Sequence, residues 1–166
     1  MKKFIIALSI AVSALFSASC NIDNSALVGD WETIEMAAQG VYQDSTVVSY
    51  NILDSKTDFL WHFAQNFLVT VDITSPNGNQ KTFSAPFIYK PNDQYLTFLV
   101  AKCSNFTITD NVIEFDMEIT GELMYQFLPE LGSYDTEKKA YNITILGKDY
   151  IVDKAVIHCK LNKKME

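Results

Sequence analysis

Thr57-Asp58-Phe59-Leu60-Trp61-His62-Phe63-Ala64-Gln65-Asn66-Phe67-Leu68-Val69-Thr70-Val71-Asp72-Ile73 decides the fold class of this 166-residue chain. Phe59, Trp61 and Phe63 alternate with Leu60 and His62 until Ala64-Gln65-Asn66 breaks the run. In the return, Phe67, Val69, Val71 and Ile73 recur at every second position, and Leu68, Thr70 and Asp72 fall between them. Successive side chains of a strand leave opposite faces, so this period of two describes two half-buried strands joined as a hairpin.

The same rhythm continues outward. Ser75-Pro76-Asn77-Gly78-Asn79 is a turn, because Pro fixes φ and Asn-Gly admits positive φ. Further strands are predicted over 81–89, 95–101, 106–109 and 112–119, separated by Pro91-Asn92-Asp93 and Asp110-Asn111. Pro86 implies an edge or a bulge in its strand, since it has no N–H for a ladder. Upstream, 28–36 and 46–53 are also β-rich. At Gly121 the rhythm stops: Leu123, Met124, Phe127, Leu128 and Leu131 have helical spacing, with Pro129 limiting the helix to about two turns. This helix is either a lid over a barrel mouth or a prop against the wall. A charged loop through Lys139 is expected next, then a closing hairpin over 141–146 and 149–161. Short strands about ten residues apart with one late helix predict a mainly β domain over 27–162. Its expected form is an antiparallel up-and-down barrel of about eight strands, which leaves no exposed edges.

Residues 1–19 read as a signal peptide: Lys2 and Lys3 precede an apolar run from Phe4 to Phe16, and Ser17-Ala18-Ser19 supplies small residues before Cys20. The run is too short to span roughly 30 Å of hydrocarbon as a helix. Residues 20–26 form a polar tether. Loss of Lys2 and Lys3 takes the formal charge from −7 to −9, and the chain contains no arginine. Such a chain is poorly suited to phosphate backbones, so nucleic acid is not an expected partner. Nor does it carry a polybasic patch for anionic lipid.

Ser17-Ala18-Ser19-Cys20 resembles the lipobox of bacterial lipoproteins, with Ser17 where a large aliphatic is usual. The resemblance implies lipidation of Cys20 and a membrane partner through that lipid; the alternative is a secreted protein with a free N-terminal thiol. In Leu27-Val28-Gly29-Asp30-Trp31-Glu32-Thr33-Ile34, Gly29-x-Trp31 opens the first strand. Together with the meander, the late helix and a cysteine near the C-terminus, it is similar to the lipocalin superfamily and to the short lipocalin-like lipoproteins of Bacteroidota. That likeness implies a cell-envelope location, a barrel closed at one end by Gly29 and Trp31, and a small hydrophobic ligand inside. The family usually lays an arginine over the tryptophan; here Lys160 is the expected substitute through a cation–π contact.

Trp61, Phe63, Phe83, Phe87, Tyr89, Tyr95, Phe98, Phe115 and Met117 are candidates for the barrel interior, where they either line an apolar pocket or fill a solid core. Cys103 and Cys159 are a possible disulfide of an exported protein, or two buried thiols that never meet. Glu114, Asp116 and Glu118 share one strand face at about 7 Å intervals, too far apart for a compact metal site by themselves. His62 and His158 sit mid-strand without a metal or hydrolase motif. His158 and Cys159 are adjacent and so face opposite ways, which prevents a dyad. No cofactor motif is present. Asp44-Ser45-Thr46 is similar to the O-glycosylation signal of exported Bacteroidota proteins, and otherwise reads as a plain loop. The expected function is non-enzymatic binding of a small apolar or amphipathic ligand in the barrel; the alternative is a structural or interaction module with a filled barrel, an accessory subunit or inhibitor in an envelope complex.

Overall fold

The computed structural model describes residues 23–41, 47–127, 132–145 and 148–165. The expected signal peptide, Cys20, Ser45 and the end of the expected helix, including Pro129, lie outside them.

The chain forms an antiparallel, nearly closed eight-stranded barrel with one short helix. Its strands are β1 (Gly29–Val41), β2 (Val47–Asn51), β3 (Asp58–Phe63), β4 (Leu68–Thr74), β5 (Gln80–Lys90), β6 (Tyr95–Phe98), β7 (Lys102–Ile108), β8 (Val112–Thr120), β9 (Gly132–Asp135), β10 (Ala140–Ile145), β11 (Lys148–Val152) and β12 (Lys154–Lys163), with helix α1 (Gly121–Phe127) after β8. The wall runs β6-β5-β4-β3-β1-β12-β8-β7. A bridge between Phe98 and Ala101 brings the two ends of the sheet together. The period of two is realised directly: burial alternates along β3, β4 and β8, with Phe59, Trp61, Phe63, Val69, Val71 and Ile73 facing inward.

β1 is longer than expected because it serves three partners. Its first half pairs with β3 (Gly29↔Phe63, Trp31↔Trp61), its second half with β2, and nearly its whole length with β12. Pro86 stands where β5 hands over its ladder: Leu68↔Pro86 is the last pair with β4, and Phe87↔Phe98 begins the pairing with β6. No ladder N–H is lost at that residue.

Two expectations about the C-terminal third are corrected. The segment expected as a charged loop contains β9, and the expected closing hairpin is split. β10 pairs with β9 and β11 in a separate three-stranded sheet, and only β12 returns to the wall, between β1 and β8. The chain turns at Asp153, whose carbonyl accepts from the Gly121 N–H at 2.8 Å. A Cβ at Gly121 would lie 2.2 Å from the Val152 carbonyl oxygen, so this close crossing requires glycine.

One barrel end is plugged by Trp31. The indole is fully buried, and its Nε1–H donates to the Leu27 carbonyl at 2.7 Å. Leu27 is equally buried, and Asn24 donates to the Ala64 and Gln65 carbonyls of the β3–β4 turn. Gly29 has φ +130°, which L side chains rarely adopt, and the Lys163 stem passes 3.6 Å from where a Cβ would stand. Lys163 is also the residue paired with Trp31 in the ladder, and its Nζ lies 5.4 Å from the ring centroid. The expectation for Lys160 is thereby corrected: it pairs with Glu35 and Glu114 in register, and its Nζ is 3.6 Å from Glu114 Oε2. Trp31→Phe keeps a buried ring but leaves the Leu27 carbonyl without its donor, so urea unfolding should show a loss of about 1–3 kcal/mol; an unchanged midpoint and slope would mean that the bond contributes nothing.

Candidate functional site

β8 begins beside Trp31, with Val112 opposite Asn162 of β12, and ends at Thr120 opposite Lys154. Helix α1 follows Thr120 directly, so it stands at the barrel end away from the plug. Between α1 and the wall is a pocket of about 200 Å³, lined by Trp61, Val71, Phe83, Phe98, Met117 and Leu123 among others. Val69 and Ala85 complete the β4–β5 side, and Val100 of the β6–β7 tip stands at the edge. Ser84 and Gln126 are its polar members. The Ser84 hydroxyl is within 3.0 Å of the Thr70 hydroxyl, whereas Gln126 is exposed and has a carboxamide that can donate and accept.

Toward Trp31 the interior is filled by rings in contact. Trp61 meets Phe115 edge-on with centroids 5.8 Å apart, Phe63 meets Phe87 at 5.3 Å, and Phe98 meets Phe115 at 5.7 Å. Tyr89 meets Phe106 edge-on at 5.8 Å. Trp61 is fixed by its Nε1–H, which donates to Thr33 Oγ1 at 3.0 Å. Four of the nine interior candidates thus line the pocket: Trp61, Phe83, Phe98 and Met117. Phe63, Phe87, Tyr89 and Phe115 belong to the packed part.

Tyr95 is neither. It is 40% exposed on the outer face, with Lys90 Nζ 5.8 Å from its ring centroid. Tyr95 and Phe98 are three positions apart, an odd interval, so one strand cannot turn both inward. Leu96 and Phe98 take the inward places.

Cys103 and Cys159 are free thiols, both buried. Their strands, β7 and β12, lie on either side of β8. Two inter-strand steps put the backbones roughly 9–10 Å apart, beyond the roughly 7 Å that a disulfide can bridge. Burial pushes the Cys103 thiol up to about 12, with a smaller opposing pull from a hydrogen bond to the Phe98 backbone. It also raises Cys159, helped by Cys103 and Asp116. Neither thiol is therefore a ready nucleophile.

The outer wall carries two acid–histidine clusters. His62 Nδ1 is 2.7 Å from Asp30 Oδ1 on β1, and its Nε2 is 3.0 Å from Asp72 Oδ2 on β4. Asp72 also accepts from Thr82 at 2.6 Å. His158 Nδ1 is 2.8 Å from Asp116 Oδ1, and Asn105 donates to the other Asp116 oxygen at 2.6 Å. With Lys160 at Glu114 and Lys154 at Glu118, each carboxylate of the β8 stripe has a cationic or hydrogen-bonding neighbour. Among the described residues, no group of three or more His, Cys, Asp and Glu side chains is placed to hold a metal ion. No helix of the described residues is long and apolar enough to cross a membrane.

No protein-family model, curated protein or solved structure matches this chain.

A neutral imidazole has one N–H, so it can donate to only one of its two carboxylate neighbours. Burial pulls the His62 pKa down, but the hydrogen bonds and charges of Asp30 and Asp72 outweigh it, and the net shift is upward. The bridge therefore stabilises the fold fully below pH about 6.5 and loses its contribution as pH rises through the raised value. Because the partners are substantially exposed, the contribution is at most about 1 kcal/mol. The gap in urea midpoint between the parent and His62→Gln should be larger at pH 5.5 than at pH 9; a gap independent of pH would contradict the bridge.

Proposed function

We propose that this chain is an exported, lipid-anchored, lipocalin-like protein of the bacterial cell envelope that binds one small apolar ligand, without catalysis. The observation that carries the reading is the apolar pocket beneath α1, bounded by Trp61, Phe83, Met117 and Leu123. An eight-stranded barrel has room for side chains or for one small ligand. Here rings occupy the Trp31 end, and space remains at the other. An apolar cavity of about 150 Å³ stays dry and admits benzene, so 200 Å³ suits one ring or a short alkyl group. It falls below the roughly 300–1,000 Å³ typical of larger ligand sites. Export and anchoring rest on Lys2, Lys3, the apolar run and Cys20. A binding role rather than a catalytic one is supported by the chemistry of the lining, which offers an apolar surface and an amide but no nucleophile beside a base.

One observation favours a second reading, an accessory module that docks a protein partner. Leu99 and Val100, at the β6–β7 tip beside the mouth, are 53% and 56% exposed.

Native mass spectrometry of the protein extracted from its own host tests these readings together. The expected species begins at Cys20, carries a covalent lipid and releases one small apolar molecule on activation. An unmodified N-terminus would overturn the anchor. Repeated absence of a small molecule would overturn ligand binding, and a retained protein partner in its place would establish the docking module.

A further inference from the structure

We propose that the pocket selects an uncharged, compact hydrophobe and rejects anionic amphiphiles such as short fatty carboxylates; this rests on the reading of the pocket as a ligand site. No lining residue is charged: the side chains are aliphatic, aromatic or thioether, apart from Ser84 and Gln126. A carboxylate drawn into such surroundings sheds its water with no cation to replace it, and that transfer is costly.

Among nearby cations, Lys81 shares a strand face with Phe83 on β5, opposite Ile73, and is not one of the lining residues. Lys102 and Lys154 border a separate, more open cleft of about 330 Å³ that shares Phe98 and Val100 with the pocket. Glu118 stands between them, and Lys154 Nζ is 2.8 Å from Glu118 Oε1. The Lys154 side chain holds the Glu118 carboxyl below the usual carboxylate range, and Lys102 adds to the effect. The Lys154 ammonium is thus already paired with a carboxylate on the outer face. Glu122, on α1 itself, is exposed and adds negative charge near the mouth. The chain as a whole carries −7, which further repels an approaching anion.

The fold contains its own probe of the interior. Cys103 is buried and opposite Met117 in the β7–β8 ladder, so it neighbours a lining residue. Burial makes ionisation of that thiol unfavourable, as an incoming carboxylate would also experience. Gln126 can hydrogen-bond a hydroxyl, carbonyl or amide at the rim, which suits a neutral ligand with one polar end.

Hexan-1-ol and hexanoate are equal in length and differ in charge at pH 8. Each is titrated into the mature chain, residues 20–166, carrying Cys20→Ala, which removes the lipid and the need for detergent, with ¹³C-methyl methionine NMR as readout. Met117 lines the pocket, while buried Met36 and Met124 report general perturbation. Hexan-1-ol should shift the Met117 methyl saturably and hexanoate should bind at least tenfold more weakly. Ala85→Phe, which fills the pocket, should abolish the alcohol's effect. Hexanoate binding as well as or better than the alcohol overturns the charge selection and leaves the pocket reading intact. If neither probe moves Met117, the pocket reading itself fails.

Discussion

The indole of Trp31 is the point on which the barrel depends. Closing an eight-stranded sheet leaves two ends, and at one of them Trp31 supplies both bulk and a bond. Burying a ring of that size removes roughly 200 Å² from water, worth about 5 kcal/mol. Its N–H reaches the Leu27 carbonyl, which commits the incoming chain to lie across the barrel end. Asn24 then fixes that chain to the β3–β4 turn. Gly29 allows the bend between cap and strand, and the Lys163 stem covers it. Cap, first strand and last strand are therefore one unit.

From that unit follows the uneven filling of the interior. β1 runs from the plug past β3 to β2, and β12 accompanies it. Near the plug, neighbouring strands contribute large rings that meet edge-on. Farther along, the β4–β5 side contributes Val71 and Ala85, and across from them the chain leaves the wall after Thr120 to form α1 and the small β9–β11 sheet. Small side chains opposite a helix leave a space where rings opposite rings do not. The same excursion returns through the crossing at Gly121 and Asp153, so the helix that borders the pocket is held in place by the strand that closes the barrel.

Much of this was legible in the residues. Alternation over 57–73 and 112–119 needs only the period of a strand, and it yields the wall and its inward faces. Gly29 and Trp31 signalled the plug. Other features depended on register, which a single strand does not reveal. Whether Lys160 or Lys163 covers Trp31 depends on how β12 slides along β1, and whether Cys103 reaches Cys159 depends on β8 lying between them. β9 was hidden because Gly132-Ser133-Tyr134-Asp135 has no apolar alternation of its own; β10 imposes the extended form. Tyr95 was a different kind of miss, since its odd spacing from Phe98 already excluded a shared inward face. In the pocket, rings drew notice and Val71 and Ala85 did not, because small side chains make space without marking it; Leu123 and Gln126 join them only through the placement of α1.

The account stands on a barrel that is solid around Phe63, Phe87 and Phe115 and hollow beneath α1. A crystal under xenon pressure measures that division directly, since the gas enters apolar voids without needing a polar partner. Xenon should bind between Phe83, Met117 and Leu123, with the rings near Trp31 excluding it. Xenon among Phe63, Phe87 and Phe115, or none beneath α1, would contradict the account.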